Sequence, residues 1–485
     1  MEENNEEKQA DPVEENSPLP EQDPPSVREE PAGDRPARKI PWGWLCALIF
    51  AVAFSVMLTY TLTAAKVRDR ELRSLQSDAA ELSEGNAPRD LRNMQNLLQA
   101  LKNRSYYANS MEELTGDALL KAVLDAYVNE TGDVYAAYYT EEEYAALSMD
   151  MAGNHVGIGV TITRETLDLP GGEAEAYRIE EVYPGSGAEE AGLQAGEWIG
   201  AVKKDGAYIS VGQLGLEAAA AEIRGEAGTA IELVILHRNG NNYESRIVAV
   251  KRSAVITRSV RLTYAEGDPT VAVVRISEFD YTTPTQFAEA METAKENGAL
   301  HFVFDVRGNP GGELDSIYAV LSNFLLQDEL VLKMVDANGS SVAEYPMKPV
   351  QYSGVRAGCS VTQEQIGRYR DLDFVVLCDG NTASAAEVFT AALRDFGLAK
   401  EIVGIKTFGK GIVQGYYRLE LEDLVGYLKL TIAGYVTQCG TSYHGIGIEP
   451  TVQTAPLPES VRGRTTTFLP WEDDTQLQTA VACFS

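Results

Sequence analysis

The sequence predicts an α/β protein: a mostly parallel-sheet core, a β-rich module inserted ahead of it, a helical N-terminal region and one transmembrane helix. Three observations carry this. From Thr270 onward, short β-branched runs alternate with helical stretches. Residues 153–252 hold short strand-like runs separated by glycine turns. Residues 41–65 are 25 positions without a charge. A chain of 485 residues is also long enough for more than one domain.

In chain order, residues 1–40 are rich in proline and glutamate and poor in large apolar side chains. They cannot bury enough surface to offset ordering entropy and read as a disordered tail. Pro41–Ala65 is long enough to span a bilayer with some tilt, and Trp42, Trp44 and Tyr60 lie toward its ends as interfacial aromatics do. A cleaved signal peptide is the rival reading, because Thr63-Ala64-Ala65 resembles a small-x-small site. The apolar run is too long for a typical signal core, and a 40-residue acidic tail makes a poor leader, so an uncleaved anchor is expected. Arg28, Arg35, Arg38 and Lys39 before the span balance Lys66, Arg68, Arg70 and Arg73 after it, so charge leaves its orientation open.

Residues 66–152 are expected to form a helical stalk and N-terminal helical region. Leu91, Met94, Leu98 and Leu101 make one apolar stripe, suited either to packing on the chain's own domain or to a dimer helix. Gly116–Asn129 reads as a helix. Thr140, with Glu143 three residues on, reads as the cap of the next one.

Composition excludes several classes. With 41 Lys+Arg against 72 Asp+Glu, the formal net charge is −31, which opposes nucleic-acid binding. None of the five cysteines forms a C-x-x-C pair, so no structural zinc is expected. Cys359, Cys378, Cys439 and Cys483 are too sparse for a disulfide framework and are expected as small buried hydrophobes. No metal or cofactor is expected.

In the middle segment, HVGIGV at 155–160 opens a series of β-branched runs: Tyr177–Val182, Trp198–Val202, Ile231–Leu236 and Ser245–Val250. Between them PGSGAEEAGLQAGEWI, residues 184–199, reads as a short helix over Ala188–Ala191 ended by Gly192. The two motifs together resemble a PDZ domain. That resemblance implies a peptide groove with Gly157, Ile158 and Gly159 as the carboxylate-binding loop, gripping C-terminal tails by strand addition. The alanines Ala218–Ala221 fall where a PDZ helix lines the groove, or they simply pack that helix close to its sheet.

In the core, strands are expected at Val271–Ile276, Phe302–Asp305 and Phe374–Leu377. Helices are expected at Pro284–Asn297, Leu314–Leu326 and Ala385–Phe396. Such strand–turn–helix repeats place active groups at strand C-termini. Ser384 sits in one of these turns, in TASAAE, just before an apolar helix whose first amides can stabilise an oxyanion. The glycine turn RGNPGG, residues 307–312, lets a second backbone amide approach closely. Lys410 lies between glycines in FGKGIVQ, and a buried lysine with a depressed pKa can serve as base to a serine. Gln414, four residues on, is placed on the same face of an extended strand. Taken alone, Ser384 suits a helix cap and Lys410 a solvated turn.

GNPGG, TASAAE, FGKGIVQ and LKLTIAGYVTQCGTSYHGIGIEPTV (428–452) occur in that order, and with the PDZ-like insert they resemble the carboxyl-terminal processing proteases from about residue 110 to the end. The resemblance implies a crotonase-like α/β protease core over 253–456, with a C-terminal helical segment over 457–485. It makes Ser384 the nucleophile, Lys410 the general base and Gln414 the residue that orients the lysine. The oxyanion hole falls to the Ala385 amide and one glycine of Gly311-Gly312. It further implies a membrane-anchored serine endopeptidase of a bacterial cytoplasmic membrane, its catalytic domain outside, cutting C-terminal tails of exported or membrane proteins. Homodimers through the terminal helices belong to the same implication. The alternative is an inactive relative that binds tails as an adaptor.

Overall fold

A computed structural model of the chain describes residues 116–458 and 466–485, apart from 170, 241, 422 and 423. The expected tail (1–40), anchor (41–65) and stalk up to residue 115 lie outside the described residues. Among those described, no helix is long and apolar enough to cross a membrane.

Helix α1 (Gly116–Asn129) spans the residues its apolar spacing predicts. Strand β1 (Ala137–Thr140) leads directly into α2 (Glu141–Met151). The junction is a reciprocal cap. The Glu143 amide donates to Thr140 Oγ1 (3.2 Å), and the Thr140 amide donates to the Glu143 carboxylate (2.9 Å).

The inserted module follows as β2 (Asn154–Gly157), β3 (Val160–Leu169), β4 (Gly172–Val182), α3 (Gly187–Glu190), β5 (Trp198–Lys204), β6 (Ala207–Ser210), α4 (Val211–Leu214), α5 (Leu216–Ile223), β7 (Ala230–Asn239), β8 (Asn242–Lys251) and β9 (Ser253–Ile256). An antiparallel sheet runs β3-β4-β5-β7-β8, with β6 added at β5, and β2 pairs with β9 where the chain enters and leaves. Ile158, Tyr177, Ile179, Val202, Leu233 and Ile235 fill its core. It is a β-rich module of antiparallel strands with short helices. Gly187 is required by close approach: a Cβ there would lie 1.9 Å from the carbonyl oxygen of Lys251.

The core runs β10 (Val260–Ala265), β11 (Asp268–Ile276), α6 (Thr283–Glu296), β12 (His301–Asp305), α7 (Leu314–Leu321), β13 (Leu330–Val335), β14 (Ser341–Pro346), β15 (Asp373–Cys378), α8 (Ala385–Asp395), β16 (Ile402–Gly404), β17 (Ile412–Leu421), β18 (Leu424–Val436), β19 (Val452–Gln453) and α9 (Thr475–Ala482). Its main sheet is ordered β10-β11-β12-β15-β16-β19 and is parallel throughout except for β10. Alternate residues feed opposite layers, as strand geometry requires. Val274, Phe302, Phe304, Phe374 and Val376 meet Phe287, Phe324 and Phe389 on one face. Val271, Val273, Val303, Val375 and Leu377 meet Ala480 of α9 on the other. A second sheet, β1-β18-β13-β14 with β17 on β18, closes over the first layer.

Two local expectations fail. The helix expected over Leu314–Leu326 stops at Leu321. Ser322 Oγ donates to the Ala319 carbonyl at 2.7 Å, and Asn323 Nδ2 donates to the Val320 carbonyl at 3.1 Å, so side chains take the bonds that further turns need. Of the cysteines expected to be buried, Cys359 and Cys378 are buried, whereas Cys439 is exposed in the loop after β18 and Cys483 is half-buried.

One buried charge cluster anchors the C-terminus. Arg307, wholly buried, meets Asp305 at 2.9 Å and Asp474 at 2.8 Å, while Arg275 meets Asp305 at 2.8 Å. Burial works against the Asp305 carboxylate, yet Arg307 and Arg275 hold it at about 2. Asp474 also caps α9 by accepting the Leu477 amide at 3.0 Å.

Candidate active site

Two loops at strand C-termini and the entrance to the β17–β18 hairpin converge on a cavity of about 300 Å³. It is lined by Gly312 and Glu313 from the turn after β12, Ser384 and Ala385 from the turn after β15, and Lys410, Gln414 and Lys429 from the hairpin side. The predicted serine, lysine, glutamine and both oxyanion segments therefore meet in one place.

Ser384 opens α8 in a conformation rarely adopted by a side-chain-bearing residue, φ +53° and ψ −119°. Gly311 explains how the two turns can touch. A Cβ at Gly311 would lie 2.7 Å from Ser384 Cβ and 2.9 Å from the Ala385 amide nitrogen. The Gly311 amide itself donates to Asn309 Oδ1 at 2.8 Å. Of the two glycines proposed as oxyanion donors, Gly311 is thus already committed, and Gly312 stands at the cavity wall.

The Ser384 turn and the lysine loop are fastened by two side chains that the sequence did not single out. The buried Glu387 accepts the Ser384 amide (3.1 Å) and the Lys410 amide (2.7 Å) on one oxygen. Its other oxygen accepts the Gly409 amide (2.7 Å) and Thr407 Oγ1 (2.6 Å). The Tyr435 hydroxyl reaches the carbonyls of both Ser384 (3.0 Å) and Lys410 (2.6 Å). The spacing Ser384-x-x-Glu387 is a helix-start signal and could have flagged the glutamate; Tyr435 carries no such signal.

Lys410 is half-buried, and its amine lies 4.6 Å from the centroid of the Tyr135 ring. Burial lowers its pKa, and the positive charge of Lys429 lowers it further. Burial likewise pushes the Glu313 carboxyl up. Among the described residues no hydrogen bond joins the Lys410 amine to Ser384 or Gln414. Lys410 precedes β17, and the β17–β18 ladder shifts register between Val413 and Gln414, with Ile432 of β18 as the extra residue. Lys410 and Gln414 both line the cavity. Gln414 Nε2 donates to Thr431 Oγ1 at 3.3 Å, and Thr431 is bonded in turn to Asp133.

Gly157, Ile158 and Gly159 line a second cavity, about 370 Å³, with Ala220, Ile223 and Arg224 of the α5 region. The alanine run serves both expected purposes: Ala220 faces this groove, whereas Ala219 is wholly buried against the sheet. Gly159 has φ +82°, and a Cβ there would strike Ser186 Cβ at 2.2 Å. Among the described residues no cluster of three or more His, Cys, Asp or Glu is arranged to hold a metal ion.

Residues 270–454 match the family model described as peptidase family S41. A probable CtpA-like serine protease of Staphylococcus aureus is 27% identical over 394 residues, 80% of this chain and 70% of that protein. One of Staphylococcus saprophyticus is 30% identical over 361 residues, 74% of this chain and 65% of that protein. Among solved structures, the photosystem II D1 C-terminal processing protease aligns over 75% of this chain and 90% of its own, at 24% identity and a TM-score of 0.42. The matched segment holds both turns, the lysine loop and the hairpin that together build the cavity. Residues 270–454 are thus a peptidase family S41 domain, and with its similarity to CtpA-like serine proteases the chain is a serine-type peptidase.

Proposed function

We propose that this chain is an endopeptidase that cuts C-terminal tails by a Ser–Lys acyl-enzyme mechanism. The observation that carries the reading is the convergence of a strained serine and a half-buried lysine of depressed pKa on one cavity, with both backbones held by Glu387 and Tyr435. Neutral Lys410 Nζ takes the proton of Ser384 Oγ as that oxygen attacks the scissile carbonyl carbon. Negative charge developing on the carbonyl oxygen is met by the amides of Ala385 and Gly312. The lysinium then delivers its proton to the leaving amine nitrogen, and the peptide C–N bond breaks. Lys410, neutral again, takes a proton from water. The hydroxide adds to the ester, and Ser384 leaves with the proton returned.

The PDZ domain, residues 153–252, binds the tail along the groove beside Gly157–Gly159 and presents it to the cavity. The parallel sheet with its glycine-turn oxyanion donors supports a crotonase-like description of the core over 253–456. The charge-free run 41–65 supports a single-pass anchor with the catalytic part outside a bacterial cytoplasmic membrane, and homodimers through the terminal helices complete the reading.

Ser384→Ala is expected to abolish cleavage of a protein bearing an unstructured C-terminal tail while the variant still binds it. A cleavage rate in Ser384→Ala near that of the unmodified chain would remove Ser384 from the mechanism. Binding without cleavage in the unmodified protein would instead mark an adaptor.

A further inference from the structure

We propose that Asp133, acting through Thr431, fixes the amide orientation of Gln414 and so presents a hydrogen-bond acceptor to the Lys410 base. The proposal rests on the Ser–Lys reading above and assigns positioning roles to Asp133, outside the recognised motifs, and to Thr431, which the hairpin motif 428–452 holds without a role of its own.

Asp133 lies between α1 and β1, 298 positions from Thr431 on β18. Its carboxylate accepts twice from that one residue, from the backbone amide at 2.8 Å and from Oγ1 at 2.9 Å. Burial works against its ionised form, but the bonds from Thr431 and from the Tyr135 amide hold its pKa below the usual value. It is therefore an acceptor at neutral pH, with no proton to give. A threonine hydroxyl has one proton. Given to Asp133, that proton leaves Thr431 Oγ1 able only to accept. The group that meets it from Gln414 must then be the NH₂ end, as the 3.3 Å contact from Nε2 has it. The amide's carbonyl oxygen is left as the end available to the cavity that Gln414 shares with Lys410.

The orientation matters because a neutral lysine about to take a proton is best aligned by an acceptor for one of its N–H bonds. An NH₂ group in the same place would confront it with a second donor. The same carboxylate accepts the Tyr135 amide at 3.0 Å, and the Tyr135 ring covers the Lys410 amine. One acidic residue from the N-terminal segment thus sets both the partner and the cover of the base.

The test is a kinetic series on the full chain with a tailed protein substrate. Thr431→Val keeps the shape and deletes the hydroxyl. Its kcat is expected to fall roughly 10- to 100-fold with KM unchanged, the loss associated with one hydrogen bond to a charged partner. Thr431→Ser, which retains the hydroxyl, is expected to recover most of that loss. In a Gln414→Leu background the Thr431→Val change should have no further effect, because the relay has lost its end point. A Thr431→Val kcat equal to that of the unmodified chain would overturn the proposal. So would an equal loss in the presence and absence of Gln414, which would mark a structural role for Asp133 and Thr431. Lys410→Ala serves as the reference: activity surviving there refutes the Ser–Lys reading itself, whereas its loss alongside a silent Thr431→Val refutes the relay alone.

Discussion

Lys410→Ala is expected to lower kcat/KM for tail cleavage by roughly 10²- to 10⁴-fold, the range that a positioned general base contributes. Lys410→Arg does the same, because a guanidinium stays protonated and cannot accept the Ser384 proton. Under the proposed mechanism the base in the unmodified chain must be neutral, so activity is expected to be absent at low pH and to rise as pH passes through the pKa of Lys410. Burial, followed by the charge of Lys429, sets that pKa below the usual 10.5, and the rising limb lies correspondingly lower. Lys429→Met removes the second cause and leaves the first. The limb should then move toward higher pH, with the plateau little changed. pH–rate profiles of the four proteins check all of this. A limb that stays in place in Lys429→Met would show that Lys429 does not act on the base.

The second large effect is on stability. Asp474→Ala is expected to destabilise the fold by about 3–5 kcal/mol, because it leaves Arg307 buried with one of its two carboxylates gone. The helix cap at Leu477 goes with it. Arg307 immediately precedes the turn Gly308–Gly312, and its carbonyl accepts Arg275 Nη2 at 2.7 Å. The loss should therefore reach the oxyanion side of the cavity as well as α9. Urea unfolding of the full chain measures the first consequence, and kcat below the unfolding transition measures the second. Arg307→Met together with Asp474→Leu, which replaces the pair by apolar groups, should be far milder than the single change.

The sequence made much of this architecture readable because its signals are local. Buried parallel strands such as Phe302–Asp305 and Phe374–Leu377 read as apolar runs, and the structure extends each by a residue or two. The turns bearing Gly311-Gly312 and Ser384 were legible because tight backbone needs small residues. The edge strand β10 gave no comparable signal. Its antiparallel pairing is set by β11 and not by its own pattern. Side chains that act across the fold were the hardest to find. Glu387 looks like one more polar residue in a helix start, and Asp133 like a turn residue. Each acquires its role only when a distant segment, the Thr407–Lys410 loop or β18, is folded against it. The lysine was found for its motif, and it lines one cavity with Gln414 four residues on.

The backbone at Ser384 bears on how such a chain drifts under mutation. A residue with a side chain at φ +53° and ψ −119° holds about 1–3 kcal/mol of strain, which glycine would relieve. A lineage that kept the fold for binding alone would gain stability from the first glycine to arise there, and selection for stability would hold it. A serine standing in that strained conformation is a stability disadvantage renewed in every generation, and the proposed chemistry at its hydroxyl would be the benefit that opposes its loss.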